Sequence, residues 1–216
     1  DFGGHNVTPQ LNRVAMLNYA DGWAVGNWNG SRPTFARWSG SAWNRLPNAS
    51  VTVTNAGTTP FTNVQNMNGV SCLSNIDCWA VGVSANTRPM IFQWNGLTWN
   101  RPLPAALAAT PTLNAVHCTS TSNCYAVGNV LSGAELIMRN NAGTWTQNAA
   151  SAGIPNVNLN DVHCFGSTVC WAVGAPSGTN AVFVRLTAVP NTWAANAAEQ
   201  ANPVVNGTMF GVNCPA

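Results

Sequence analysis

Charge is what this chain has least of. Only 6% of its 216 residues are charged, against about a quarter in ordinary soluble domains. Lysine is absent, and all eight basic residues are arginine. With a net charge of +2 and its arginines scattered, the chain has no basic patch to meet a nucleic-acid backbone, and that partner class is set aside. The acids are Asp1, Asp21, Asp77, Glu135, Asp161 and Glu199, thin material for paired-carboxylate catalysis. No apolar run approaches the roughly 18 residues of a membrane-spanning helix, so no membrane span is expected. No stretch sustains an apolar period of 3.6 either, and 194–201 is the one short helix-like patch. No leader pattern stands at the start, and Asp1 suits a mature N-terminus left by cleavage.

In place of charge stand 30 asparagines with abundant Thr, Ser, Gly and Ala. Such a surface is polar but neutral, and it offers little charge repulsion against self-association. Four sequons, at Asn6, Asn29, Asn48 and Asn206, allow glycosylation, at about the number so much Asn and Thr would give by chance.

One pattern orders the whole chain. Cys164–Gly174 (CFGSTVCWAVG) returns as Cys72–Gly82 (CLSNIDCWAVG) and Cys118–Gly128 (CTSTSNCYAVG). Met16–Gly26 (MLNYADGWAVG) keeps the frame without the cysteines. Each copy follows a short apolar lead beginning at Leu11, Met67, Leu113 or Leu159, and the lead alone recurs at Met209–Cys214. A spacing of this size signals a tandem-repeat architecture. Within a repeat four strand-like pieces follow one another: the lead, the aromatic-Ala-Val-Gly segment, an apolar run (34–38, 90–94, 135–139, 181–186), and a piece opened by Trp43, Trp99, Trp145 or Trp193. Asn95-Gly96 between the last two pieces is a strong hairpin signal, because both residues tolerate positive φ.

Six of the seven cysteines fall in C-x5-C pairs: Cys72 with Cys78, Cys118 with Cys124, Cys164 with Cys170. The spacing suits neither zinc nor a Cys/His finger, so disulfides stapling successive hairpins are expected, and with them an exported protein. Each small ring contributes about 2 kcal/mol by loop-closure arithmetic. Cys214 is left over, pointing to a free thiol or an intersubunit bridge.

Four antiparallel strands in about 46 residues make the blade of a β-propeller. The Leu/Met-x-x-Val lead, the Trp-Ala-Val-Gly segment and the closing Gly40–Trp43, Gly96–Trp99 and Gly143–Trp145 resemble secreted bacterial propeller repeats of the Asp-box (BNR, sialidase-like) and photosystem II assembly-factor-like families. None of the turns before the closing Trp carries the aspartate of a true Asp box. The expected architecture is an all-β propeller of four to five blades. Its repeats are 11–66, 67–112, 113–158 and 159–208, after an N-terminal segment 1–10 that could complete a strand near Asn6–Gln10. Residues 209–216 would be an orphan fifth-repeat strand that closes the ring or pairs with a neighbouring subunit.

Candidate chemistry is sparse. Trp28, Trp38 and Trp94 do not recur in every repeat, so they are the candidates for stacking on a glycan, with Arg37 to hydrogen-bond it. Arg139 and Arg185 end the equivalent runs. His117 and His163 stand at matching lead positions with Asp161 nearby, a weak candidate metal set; no cofactor is implied. Sialidase-like catalysis finds no Tyr–Glu pair, and neutralising Asp21, Asp77 or Asp161 would be its test. The leading expectation is a non-enzymatic extracellular structural or adhesive protein that self-associates through its terminal strands, as a surface appendage or filament subunit. A carbohydrate-binding lectin-like module is the alternative, and a glycoside hydrolase-like enzyme comes third.

Overall fold

The computed structural model describes residues 10–28, 32–46, 51–53, 64–84, 86–102, 104–148, 157–166, 168–176, 181–187, 192–195 and 207–213. Cys214, and Asn6 to Pro9 of the proposed strand-completing segment, lie outside them. Among the described residues there is no helix, and the chain divides into two compact units, Asp1–Thr110 and Pro111–Ala216.

In the first unit, blade 1 is the antiparallel meander β1 (Gln10–Asn18), β2 (Asp21–Trp28), β3 (Arg32–Trp38) and β4 (Trp43–Arg45). A short strand, β5 (Val51–Val53), follows. Blade 2 is β6 (Val64–Ser74), β7 (Asp77–Ser84), β8 (Met90–Trp94) and β9 (Trp99–Arg101). β5 extends blade 2 by pairing in parallel with β9. In the second unit, blade 3 is β10 (Pro111–Ser120), β11 (Asn123–Val130), β12 (Glu135–Asn141) and β13 (Thr144–Gln147). Blade 4 is β14 (Val157–Phe165), β15 (Val169–Pro176), β16 (Val182–Thr187) and β17 (Thr192–Ala195). The fold is thus the four-stranded propeller blade, repeated. β5 is the one strand among these that the repeat pattern does not foretell.

Alternation along each strand gives every blade two faces. In blades 2 and 4 the face turned to the other blade of the same unit carries the first and fourth residues of the lead and the closing Trp. In blade 2 these are Met67 (0% exposed), Val70 (7%) and Trp99 (0%). They pack on Trp23, Val25 and Phe35 of blade 1: Trp99 meets Phe35 stacked at 4.5 Å and Trp23 edge-on at 5.1 Å. The second unit repeats the arrangement, with Leu159, Val162 and Trp193 of blade 4 on Tyr125, Val127 and Ile137 of blade 3.

The disulfides are Cys72–Cys78, Cys118–Cys124 and Cys164–Cys170, each joining directly opposed residues of the first hairpin of a blade. Blade 1 has Met16 opposite Gly22 instead. Disulfides favour an extracellular location, and among the described residues no helix is long and apolar enough to cross a membrane.

Candidate functional site

The side chains that set the blades' inner edge are ones the repeat pattern left as x. Each of the first four leads carries a β-bulge: between Leu11 and Arg13, Met67 and Gly69, Leu113 and Ala115, and Leu159 and Asp161. The extra residue is Asn12, Asn68, Asn114 or Asn160. A bulged residue is released from the ladder and its side chain is re-aimed. Asn12 donates to the Met67 carbonyl at 2.8 Å, and Asn114 to the Leu159 carbonyl at 2.7 Å. Asn160 donates to the Met209 carbonyl at 2.8 Å. Each amide therefore ties one lead to the first residue of the next. The Gly of Trp-Ala-Val-Gly makes this possible: a Cβ on Gly26, Gly82, Gly128 or Gly174 would collide with the carbonyl oxygen of Gln10, Asn66, Thr112 or Asn158. The signal was legible, because Asn stands second in four of the five leads while Met209 is followed by Phe210.

The fifth lead behaves as a lead in this respect. Besides the Asn160 bond, the Val212 amide donates to Asp161 Oδ2 at 3.0 Å. Yet 207–213 adopts no strand pairing, and Phe210 is 77% exposed.

Arg37, Arg139 and Arg185 share a second recurrent arrangement. Each stands across the ladder from the aromatic of the preceding strand: Trp23, Tyr125 and Trp171 respectively. The guanidinium carbons lie 5.6, 5.7 and 5.5 Å from those rings, a cation–π geometry. In blade 2 the pair is Trp79 and Gln93. Arg37 differs from the others by also gripping Asp21. Nε and Nη2 donate to the two carboxylate oxygens at 3.0 Å each, and Trp94 covers the guanidinium at 5.8 Å. The hydrogen bond from Arg37 is the main reason the Asp21 carboxyl titrates below the ordinary carboxylate range. Ala20, Asp21, Arg37, Trp38, Ser39, Asn44 and Leu46 line a cleft of about 430 Å³ beside this pair. Asn44 donates to Ser39 Oγ at 3.1 Å, which fixes two more polar groups on its wall.

The tryptophans chosen as stacking platforms fare differently from one another. Trp94 is 4% exposed, its ring 4.7 Å from Trp23, so its face is spent on blade packing and is closed to a ligand. Trp38, at the same blade position, is half-buried and lines the cleft. Being neighbours on β3, Arg37 and Trp38 point to opposite faces of the sheet. For Trp28 only the backbone, at the end of β2, is described; its side chain lies outside the described residues. Trp38 and Trp94 share one further contact. Their indole N–H groups donate to the Tyr19 and Asn75 carbonyls at 2.9 Å, and Asn140 donates to Thr121 in the same way in blade 3. The donor that clasps the first hairpin turn is thus kept in three of the four blades, twice as an indole and once as a carboxamide, while blade 4 has Leu186 at that position.

His117 and His163 do meet, with ring centroids 4.1 Å apart. His117 Nδ1 accepts from the Cys164 amide at 3.2 Å, and burial, followed by the charge of His163, lowers its pKa to about 4. Asp161 is engaged by Val212. Among the described residues no group of three His, Cys, Asp or Glu side chains is placed to hold a metal ion. Burial raises the Asp77 carboxyl, and it stands in a different blade from Asp21.

No protein-family pattern matches the sequence, and no curated protein does. Solved structures do match. SapL1 lectin in complex with α-methyl fucoside superposes with a TM-score of 0.60 at 11% identity, over 88% of this chain and 62% of that one. YCF48 bound to D1 peptide gives 0.56 at 14% identity, over 88% and 54%. Aleuria aurantia lectin with Fucα1-6GlcNAc gives 0.55 at 13%, over 82% and 56%. These neighbours are β-propellers, and at such identities the likeness establishes the fold alone. This chain spans a little over half the length of each.

Proposed function

We propose that this chain is a non-enzymatic, carbohydrate-binding β-propeller module, and that the Asp21–Arg37 cleft of blade 1 is its ligand site. The carrying observation is the charge pair held in a two-point grip on the wall of a 430 Å³ cleft, with Ser39 and Asn44 beside it. Sugars are recognised through hydroxyl groups that donate and accept together, and fixed, partly desolvated carboxylate and guanidinium groups serve both roles with charge-assisted bonds. The pair is neutral overall, which suits an uncharged sugar ring better than a sialic or uronic acid. Two of the structural neighbours are fucose-binding lectins, which supports this reading over a purely structural one.

The site belongs to blade 1 alone. The residues matching Asp21 and Arg37 are Asp77 and Gln93 in blade 2, Asn123 and Arg139 in blade 3, and Val169 and Arg185 in blade 4. One sugar per chain is therefore expected. The test is calorimetric titration with α-methyl fucoside and a panel of neutral monosaccharides and fucosylated oligosaccharides. The reading predicts saturable binding that Asp21→Asn abolishes while circular dichroism stays unchanged. Absence of binding to any sugar, or binding that Asp21→Asn leaves intact, refutes it.

A further inference from the structure

Arg37 is the cation of the cleft, and what holds it comes from two blades of the first unit. Asp21, in blade 1, fixes its Nε and Nη2. The guanidinium also rests against two indoles, Trp23 of its own blade at 5.6 Å and Trp94 of blade 2 at 5.8 Å. Trp94 is buried, its ring 4.7 Å from Trp23, so it meets no ligand itself. What it does is limit where the guanidinium can stand, because a planar cation is held over an aromatic face in a defined orientation. An arginine fixed in this way gives up less rotamer freedom when a ligand binds.

Behind Trp94 stands a disulfide. Trp94 is directly opposite Cys78 in the β7–β8 ladder, and its indole N–H donates at 2.9 Å to the Asn75 carbonyl. Asn75 lies in the turn that the Cys72–Cys78 bridge closes. The bridge therefore fixes the carbonyl that anchors the ring that orients the cation. The other two bridges have no such line, since Asn140 stands opposite Cys124 and Leu186 opposite Cys170. They also differ in access. Cys72 is half-buried, whereas Cys118 is 6% and Cys164 4% exposed, and Cys78, Cys124 and Cys170 are all 0% exposed. Thiol–disulfide exchange requires a thiolate to reach a sulfur, and of these six cysteines Cys72 offers the best approach.

On the reading of this cleft as the sugar site, we infer that Trp94 is a positioning residue for it, and that the Cys72–Cys78 bridge, acting through Trp94, makes sugar affinity depend on the redox state of blade 2. The reductant is a dithiol. One of its thiolates attacks Cys72 Sγ, and Cys78 leaves as a thiolate. Its second thiol then displaces Cys72, so that the reagent ends as a cyclic disulfide and its two electrons and two protons end on the two cysteines. Blade 1 builds the same hairpin with Met16 opposite Gly22, so blade 2 is expected to stay folded while the turn under Trp94 loosens.

Two measurements on the full chain test this together: calorimetric sugar titration, and carbon-13 NMR titration of the aspartate carboxyls, which needs no sugar. Trp94→Leu keeps apolar bulk without a ring. It is expected to weaken binding about fivefold and to move the Asp21 titration upward, toward the ordinary carboxylate range. Trp94→Phe restores a ring without the N–H and is expected to recover part of both losses. Reduction by dithiothreitol, or Cys72→Ala with Cys78→Ala, is expected to weaken binding about threefold, and to change nothing further in the Trp94→Phe background, where the link is already cut. Cys118→Ala with Cys124→Ala should leave affinity unchanged, and alkylation during reduction should label Cys72 and Cys78 before the other two pairs. A Trp94→Leu chain that matches wild type in both titrations, or a Phe variant no better than Leu, overturns the positioning role. Bridge removal without effect, or with the same effect in Trp94→Phe, overturns the redox link. If wild type binds no sugar, the reading of the cleft fails, and the Asp21 titration across the same variants still decides whether Trp94 and the bridge position Arg37. Should Trp94→Leu lose its circular dichroism signature, Trp94→Phe and the bridge-free chain decide alone.

Discussion

Trp38 and Trp94 occupy one position in two successive blades and donate the same hydrogen bond, at 2.9 Å in both. They differ in what lies in front of them, which makes them a matched pair for measuring what blade-to-blade packing contributes. Trp94 is 4% exposed, 4.7 Å from Trp23 and 5.9 Å from Trp99. Its replacement by Ala opens a cavity between two blades, a class of change that costs about 3–5 kcal/mol. Trp38 is half-buried and touches Trp43 at 5.5 Å. Trp38→Ala gives up about half as much apolar burial and leaves no closed cavity, so about 1–2 kcal/mol is expected. For a chain of this size each kcal/mol moves the melting temperature by about 2–4 °C. Melting followed by far-ultraviolet circular dichroism, at concentrations that keep the chain monomeric, should put Trp94→Ala about 10 °C below wild type and Trp38→Ala about 4 °C below. Equal losses would refute the reasoning, since they would mean that the clasp on the hairpin turn, common to both, outweighs the packing.

Replacing Cys118 and Cys124 together by Ala should cost about 2 kcal/mol in chemical denaturation, the loop-closure value for so small a ring; a loss below a few tenths of that would show that the hairpin is held by its neighbours. His117 titrates at about 4 in the folded chain, against about 6.5 unfolded, so the unfolded state binds the extra proton between those values. Stability should therefore fall as pH drops from about 6.5 to 4, and His117→Asn should flatten that limb. Asp21 behaves in the opposite sense: its lowered pKa makes its contribution full above about pH 4 and lost as pH falls through the folded value, and salt should weaken it. Asn160→Ala removes the bond to Met209 and should speed hydrogen exchange of the Val212 amide about fivefold, the equivalent of about 1 kcal/mol.

The blades, their order, the stapled hairpins and the packing role of the closing tryptophans were readable because each leaves a residue type at a fixed offset. The period fixed four units, and the Cys pairs fell where opposed residues of the first hairpin must meet. What was not readable has a common cause. Trp94 was grouped with Trp38 as a ligand platform because both are absent from blades 3 and 4, yet Asn140 supplies the same donor in blade 3, and a pattern of residue names hides an equivalence of hydrogen bonds. The Asp21–Arg37 grip was equally hidden, since its partners lie 16 residues apart and only the β2–β3 register brings them side by side. β5 went unseen because three residues in a polar linker carry no period at all. The bulge that frees Asn12, Asn114 and Asn160 depends on register, which no composition discloses.

The low charge and the wealth of asparagine have one explanation in these contacts. Where other proteins close turns and join elements with ion pairs, this chain uses the carboxamide. Asn18 accepts from the Ala20 amide, Asn95 from Leu97 and Thr98, and Asn140 from Gly143, each closing a turn. Asn12, Asn114 and Asn160 join one lead to the next. An amide can donate and accept at once, carries no desolvation penalty of a full charge, and does not titrate. A frame built this way tolerates burial at the crowded inner edge, where a carboxylate or guanidinium would need a partner at every blade. It also confines ionic chemistry to a few places, and among the described residues the Asp21–Arg37 pair borders an open cleft.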